Sequence, residues 1–173
     1  SLSLAAHYEV EEDMVYAIAA YHDLGLVEGR ELHHISSGRM MSEDGELCRW
    51  FSPEQIEVMR EAIEDHRASA ERPPRTIYGM IVAEADRQIV PEVVIRRTVQ
   101  YGLSHYPALT KEQHWERFVG HLREKYDYGG YLKLYIPHSD NATRLEELRR
   151  IIAQPRQLRE AFEAEWQKLK MEN

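Results

Sequence analysis

His22 and Asp23 stand side by side at the end of an apolar stretch, Ala19-Ala20-Tyr21, and a glycine, Gly25, follows closely. An adjacent imidazole and carboxylate are suited to hold a divalent metal ion, and packing alone explains them poorly. A carboxylate carries two oxygens with lone pairs, so Asp23 is able to bridge two ions. Two more polar residues occur in apolar company. His66 continues the stripe Ile56, Met59, Ile63, and Asp86 falls inside the stripe Tyr78, Val82, Ala85, Ile89. Helical periodicity therefore assigns both to inward-facing positions. An unpaired buried carboxylate is costly and tends to stay protonated; a shared metal ion removes that cost.

The elements that must position these side chains are helices. Met14, Val15, Ile18 and Ala19 give a helical stripe from about Glu11 to Tyr21, with acids at Glu11, Glu12 and Asp13 suiting its N-terminus, and its continuation lands on His22. Residues 24–33 read as a loop, and His33 to Met41 as a short helix or a turn. Ser52-Pro53-Glu54-Gln55 is a helix start, with an N-cap serine, proline at N1 and glutamine at N3. Arg72-Pro73-Pro74-Arg75 ends that helix, and another is expected from Thr76 to Ile89. Further helices are expected from Pro91, over 110–126, and over 143–170 with a break at Pro155. Tyr131 to Ile136 alternates in period two and suggests one short strand or an extended segment.

Composition narrows the class. The 173 residues fit a single domain, 1–173, with a substantial core. The net charge of −8 argues against a nucleic-acid partner, which needs a basic face. A lone cysteine, Cys48, excludes a disulfide framework and fits a reducing compartment. Neither a signal peptide nor a membrane span is visible, so a cytoplasmic protein is expected.

The pieces Ala20-Tyr21-His22-Asp23-Leu24-Gly25, His34-Ile35-Ser36-Ser37-Gly38, Ile63-Glu64-Asp65-His66 and Ala83-Glu84-Ala85-Asp86, in this order, resemble the HD superfamily of metal-dependent phosphohydrolases. The resemblance covers residues 1–100 and implies an all-α HD-domain helical bundle, with residues 101–173 as additional C-terminal helices. It implies two divalent metal ions (Fe, Mn, Mg or Zn). His22, Asp23 and Asp86 would hold one, and Asp23 would bridge to a second on His34 and His66. His34 matches the family's His-x-x-x-Gly spacing, with His33 as the alternative. The family's first histidine is expected upstream of Ser1.

A nucleotide or another small phosphate ester is the implied substrate, attacked by a metal-activated water. Arg67, directly after His66, is the first candidate to hold phosphate oxygens, with Arg75 and Arg87 behind it. Asp23 and Arg67 are thus the expected catalytic residues. A di-iron oxygenase on the same ligands and a non-catalytic ligand-binding protein of the same fold are the competing readings. The long terminal helix offers a face for a homodimer.

Overall fold

The computed structural model describes residues 1–70 and 72–172. It is all-α, with nine α-helices and no strand among the described residues. Contacts gather the chain into two compact units. The first comprises Ser1–Arg87 together with Lys133–Ser139, and the second comprises Gln88–Leu132 and Asp140–Asn173. Where the sequence suggests one domain with a metal-site core to residue 100, the first unit closes at Arg87 and takes in a later piece of chain.

In the first unit, α1 spans Leu2–Ala5, α2 Glu12–Tyr21, α3 His33–Glu43, α4 Pro53–Glu64 and α5 Ile77–Asp86. Short 3₁₀ turns lie at Leu24–Glu28 and Leu47–Arg49. The start of α4 follows directly from its sequence: Ser52 Oγ accepts from the Gln55 amide at 3.2 Å, and Gln55 Oε1 accepts from the Ser52 amide at 2.8 Å. These bonds satisfy two backbone donors that a helix start otherwise leaves open. Thr76 caps α5 by accepting from the Gly79 amide. Helices α2 to α5 meet in a core of Met14, Ala17, Ile18, Met41, Met59, Ala62, Ile63 and Val82. Ile18, Met41, Met59 and Ile63 are fully buried, each stabilising the fold by about 1.5–3 kcal/mol. A second cluster joins Ala5, Val15 and Ile81 to Ile136.

Two expectations are corrected here. Helix α5 ends at Asp86, not Ile89, because Arg87 turns to an extended conformation with ψ 98°. Asp86 is consequently not a core residue: its side chain is 47% exposed, and Ala85 is exposed as well. The buried carboxylate of α5 is Glu84, at 0% exposure. Of the two forms expected for Tyr131 to Ile136, the strand does not form: the segment is neither helix nor strand.

The second unit holds α6 (Pro91–His105), α7 (Lys111–Tyr126), α8 (Asn141–Ile152) and α9 (Pro155–Glu172). Proline at N1 opens α6, and Pro155 separates α8 from α9 as its sequence suggests. Helix α7 begins with a second reciprocal cap, Thr110 with Gln113. The core contains Val94, Ile95, Val99, Phe118, Leu122, Leu145, Leu148, Leu158 and Phe162, with the Phe118 and Phe162 rings 5.2 Å apart. No helix among the described residues is long and apolar enough to cross a membrane.

Candidate metal centre

Helix ends supply the site. His22 is the C-cap of α2, and its ring Nδ1 lies 2.8 Å from the Ala19 carbonyl oxygen. His33 opens α3, with Nδ1 2.8 Å from the Arg30 carbonyl oxygen. His66 follows the end of α4, with Nδ1 2.6 Å from the Ile63 carbonyl oxygen. A carbonyl oxygen only accepts, so each Nδ1 carries the hydrogen and each Nε2 keeps its lone pair. Three rings are thus fixed in the tautomer that presents Nε2, and all three Nε2 atoms face one carboxylate.

That carboxylate is Asp23, at the start of the 3₁₀ turn. Its Oδ1 lies 3.4 Å from His33 Nε2 and 3.7 Å from His66 Nε2. Its Oδ2 lies 3.6 Å from His22 Nε2, which in turn is 3.5 Å from Asp86 Oδ1. Two groups of potential ligands result, Asp23 with His33 and His66, and Asp23 with His22 and Asp86. The atoms of each group lie within 4.8 Å of one another. His33 Nε2 and His66 Nε2 approach to 3.1 Å. Two lone pairs facing each other at that distance repel, and a cation shared between them converts the repulsion into ligation.

Close packing makes this convergence possible. Gly25 is buried where the 3₁₀ turn meets α3; a Cβ there would lie 2.3 Å from the His33 carbonyl oxygen and 2.6 Å from the Ser37 amide. The Gly25 amide donates to Ser37 Oγ at 2.8 Å, fixing the contact. Asp23 is thereby held against the first turn of α3, where His33 sits.

The electrostatics follow from burial and pairing. The Asp86 carboxylate, more than any other neighbour, raises the His22 pKa, and His22 lowers that of Asp86 in return. Burial pushes the His66 pKa down and keeps that ring neutral, the form that ligates. His34 belongs to neither group, although its ring stands edge-on to that of His33, the centres 5.7 Å apart. The His34 Nδ1 is buried and has no hydrogen-bond partner, and burial, aided by the Arg67 charge and the other two rings, lowers its pKa to about 4.

Of the three arginines, Arg67 donates to the Glu31 carbonyl oxygen at 2.5 Å and makes no ion pair among the described residues. Arg75 is occupied by Asp65, Glu64 and Glu61 at 2.8 to 3.1 Å, and so ties the end of α4, next to His66, to the start of α5. Arg87 is buried beside Glu84 at 3.8 Å, with its guanidinium 5.1 Å from the Tyr135 ring centre. In the sequence His33 stands only as the alternative to His34, and Glu84 has no signal there. One depends on how a turn docks, and the other on a segment far along the chain.

Neither the curated proteins nor the solved structures include a match to the chain. A family model, described as HD domain, matches residues 1–88. The matched half of the chain contains every residue of both groups of potential ligands. The chain belongs to the HD-domain family of metal-dependent hydrolases.

Proposed function

We propose that the protein is a dinuclear metal-dependent phosphohydrolase acting on a nucleotide or other small phosphate ester. The observation that carries this reading is the division of Asp23, with Oδ1 directed to His33 and His66 and Oδ2 to His22. One ion would lie with His22, Asp23 and Asp86, the other with Asp23, His33 and His66. The donor set, imidazole nitrogen and carboxylate oxygen, suits manganese, iron or zinc. Ions so held supply an acidified water as nucleophile and offset the charge of a phosphoryl group.

His33 takes the ligand position that sequence spacing assigns to His34, because its Nε2 faces Asp23 and His66. The backbone carbonyls on the three Nδ1 atoms hold the rings in the orientation that presents Nε2. Asp23 carries charge toward both positions, and its removal affects both. Arg67, without a carboxylate partner among the described residues, is the group to hold phosphate oxygens, where its fork matches two at once.

The test has two stages. Purified protein is analysed for metal, then loaded with manganese or iron and assayed for phosphate release from nucleotides and phosphomonoesters. Close to two ions per chain and phosphate release that Asp23→Asn abolishes are the expected results. Turnover that requires dioxygen and releases no phosphate would favour the oxygenase chemistry open to the same ligands.

A further inference from the structure

The segment Lys133–Ser139 belongs to the first unit although it lies far beyond the family match. Three of its residues meet α5 along one line. Ile136 shares a cluster with Ile81. The Tyr135 amide donates to Glu84 Oε2 at 3.0 Å, and Ser139 Oγ donates to Glu84 Oε1 at 2.6 Å. The Tyr135 ring covers the Arg87 guanidinium at 5.1 Å. Positions 81, 84 and 87 are three apart, so they form one face of the helix and its cap. The segment also reaches α1, where Ala5 joins Ile136, and the turn after it, where the His138 ring stacks on His7, the centres 4.6 Å apart.

This strap is polar where it needs to be. Glu84 is fully buried, and a buried carboxylate is tolerated only when its oxygens are bonded. The strap supplies a partner to each of them. Arg87 is 4% exposed, and its Nε and Nη1 have no hydrogen-bond partner, so the ring of Tyr135 and the Glu84 carboxylate offset its charge. Between these two anchors, at positions 84 and 87, lies Asp86, which turns off that face to meet His22 at 3.5 Å.

We infer that Lys133–Ser139 is a positioning element for the metal centre: it fixes the last turn of α5 through Glu84 and Arg87 and so sets the place of Asp86. The inference rests on the metal-site reading above. Since the strap holds one end of the site only, its loss acts on the ion that uses Asp86 and leaves the ion of His33 and His66 alone.

The experiment is calorimetric titration of the folded protein with manganese alone, for wild type, Ser139→Ala, Glu84→Gln and Tyr135→Leu, with Ser139→Thr as the conservative replacement. Circular dichroism establishes folding, and amide exchange is followed over residues 81–87 in the metal-free protein. Expected is a loss of about three- to tenfold in one of two binding steps, a size usual for a positioning contact that does not touch the ligand. Faster exchange confined to the end of α5 should accompany it, and Ser139→Thr should restore both. Even weakening of both steps, or unchanged titrations in folded Ser139→Ala and Tyr135→Leu, overturns the inference. Wild type that takes up no manganese overturns the metal-site reading itself, and the positioning role with it, before any substitution is made.

Discussion

At the scale of single residues, Asp23 and the histidine rings divide the work unequally. Asp23→Asn is expected to lose both ions, whereas His33→Ala and His66→Ala lose one, and His34→Gln keeps both; elemental analysis of the four variants distinguishes them. Full retention in His33→Ala with loss in His34→Gln would return the ligand role to His34. His34 has a separate consequence for acid stability. Its pKa of about 4 in the fold lies below the 6.5 of the free side chain. Between those values the unfolded chain binds more protons, so this ring costs stability as pH falls from 6.5 to about 4. Metal-free wild type should therefore lose stability relative to His34→Gln across that window in denaturant titrations, and the two curves should run parallel above it. His22 and His66 were legible from helical stripes and Asp23 from its place beside His22, whereas Asp86 meets them from an exposed helix end and not from the inward position its stripe suggested. The choice between His33 and His34 was not legible. Neighbouring positions on a helix point about 100° apart, and which one faces Asp23 is decided by the docking of another segment.

Elements explain why the residues meet. The proposed ligands stand at the ends of α2, α4 and α5 and at the start of α3, so the site depends on where helices stop. Starts were legible wherever a cap was written into the sequence, as with Ser52 to Gln55 and Pro91. The end of α5 was not, because no glycine or proline stands at Arg87 and the turn there is held by packing on the strap. The tightest junction is Gly25 on α3. Gly25→Ala places a methyl 2.3 Å from the His33 carbonyl oxygen, and overpacking of this kind costs about 1–3 kcal/mol. Ser37→Ala removes the 2.8 Å bond from the Gly25 amide, at about 1 kcal/mol. Urea unfolding measures both. Since the contact carries His33, Gly25→Ala should also weaken manganese binding, which a distant core substitution of equal cost should not.

The whole molecule couples folding to ligation. Ions that bind only the folded chain stabilise it by about 2.7 kcal/mol at a hundred times Kd; manganese should raise the melting temperature, and EDTA should reverse the rise. The all-α class was legible throughout, because nearly every segment carries a 3.6-residue stripe. The grouping into two units was not, since nothing in Lys133–Ser139 marks it as a partner of α5. Ile136 is buried at 3% in the first unit, and Ile136→Ala should cost about 2–5 kcal/mol, although the position lies well past the HD match. The re-entry of this segment also sets an order in time. During synthesis at about 5–20 residues per second, roughly two to nine seconds separate Gln88 from Lys133. For that interval the nascent α5 has Glu84 and Arg87 but not the chain that pairs with them. Ribosome-stalled chains should stay open to protease near α5 until Ser139 has emerged, and the metal centre reaches its final form only after most of the second unit has been made.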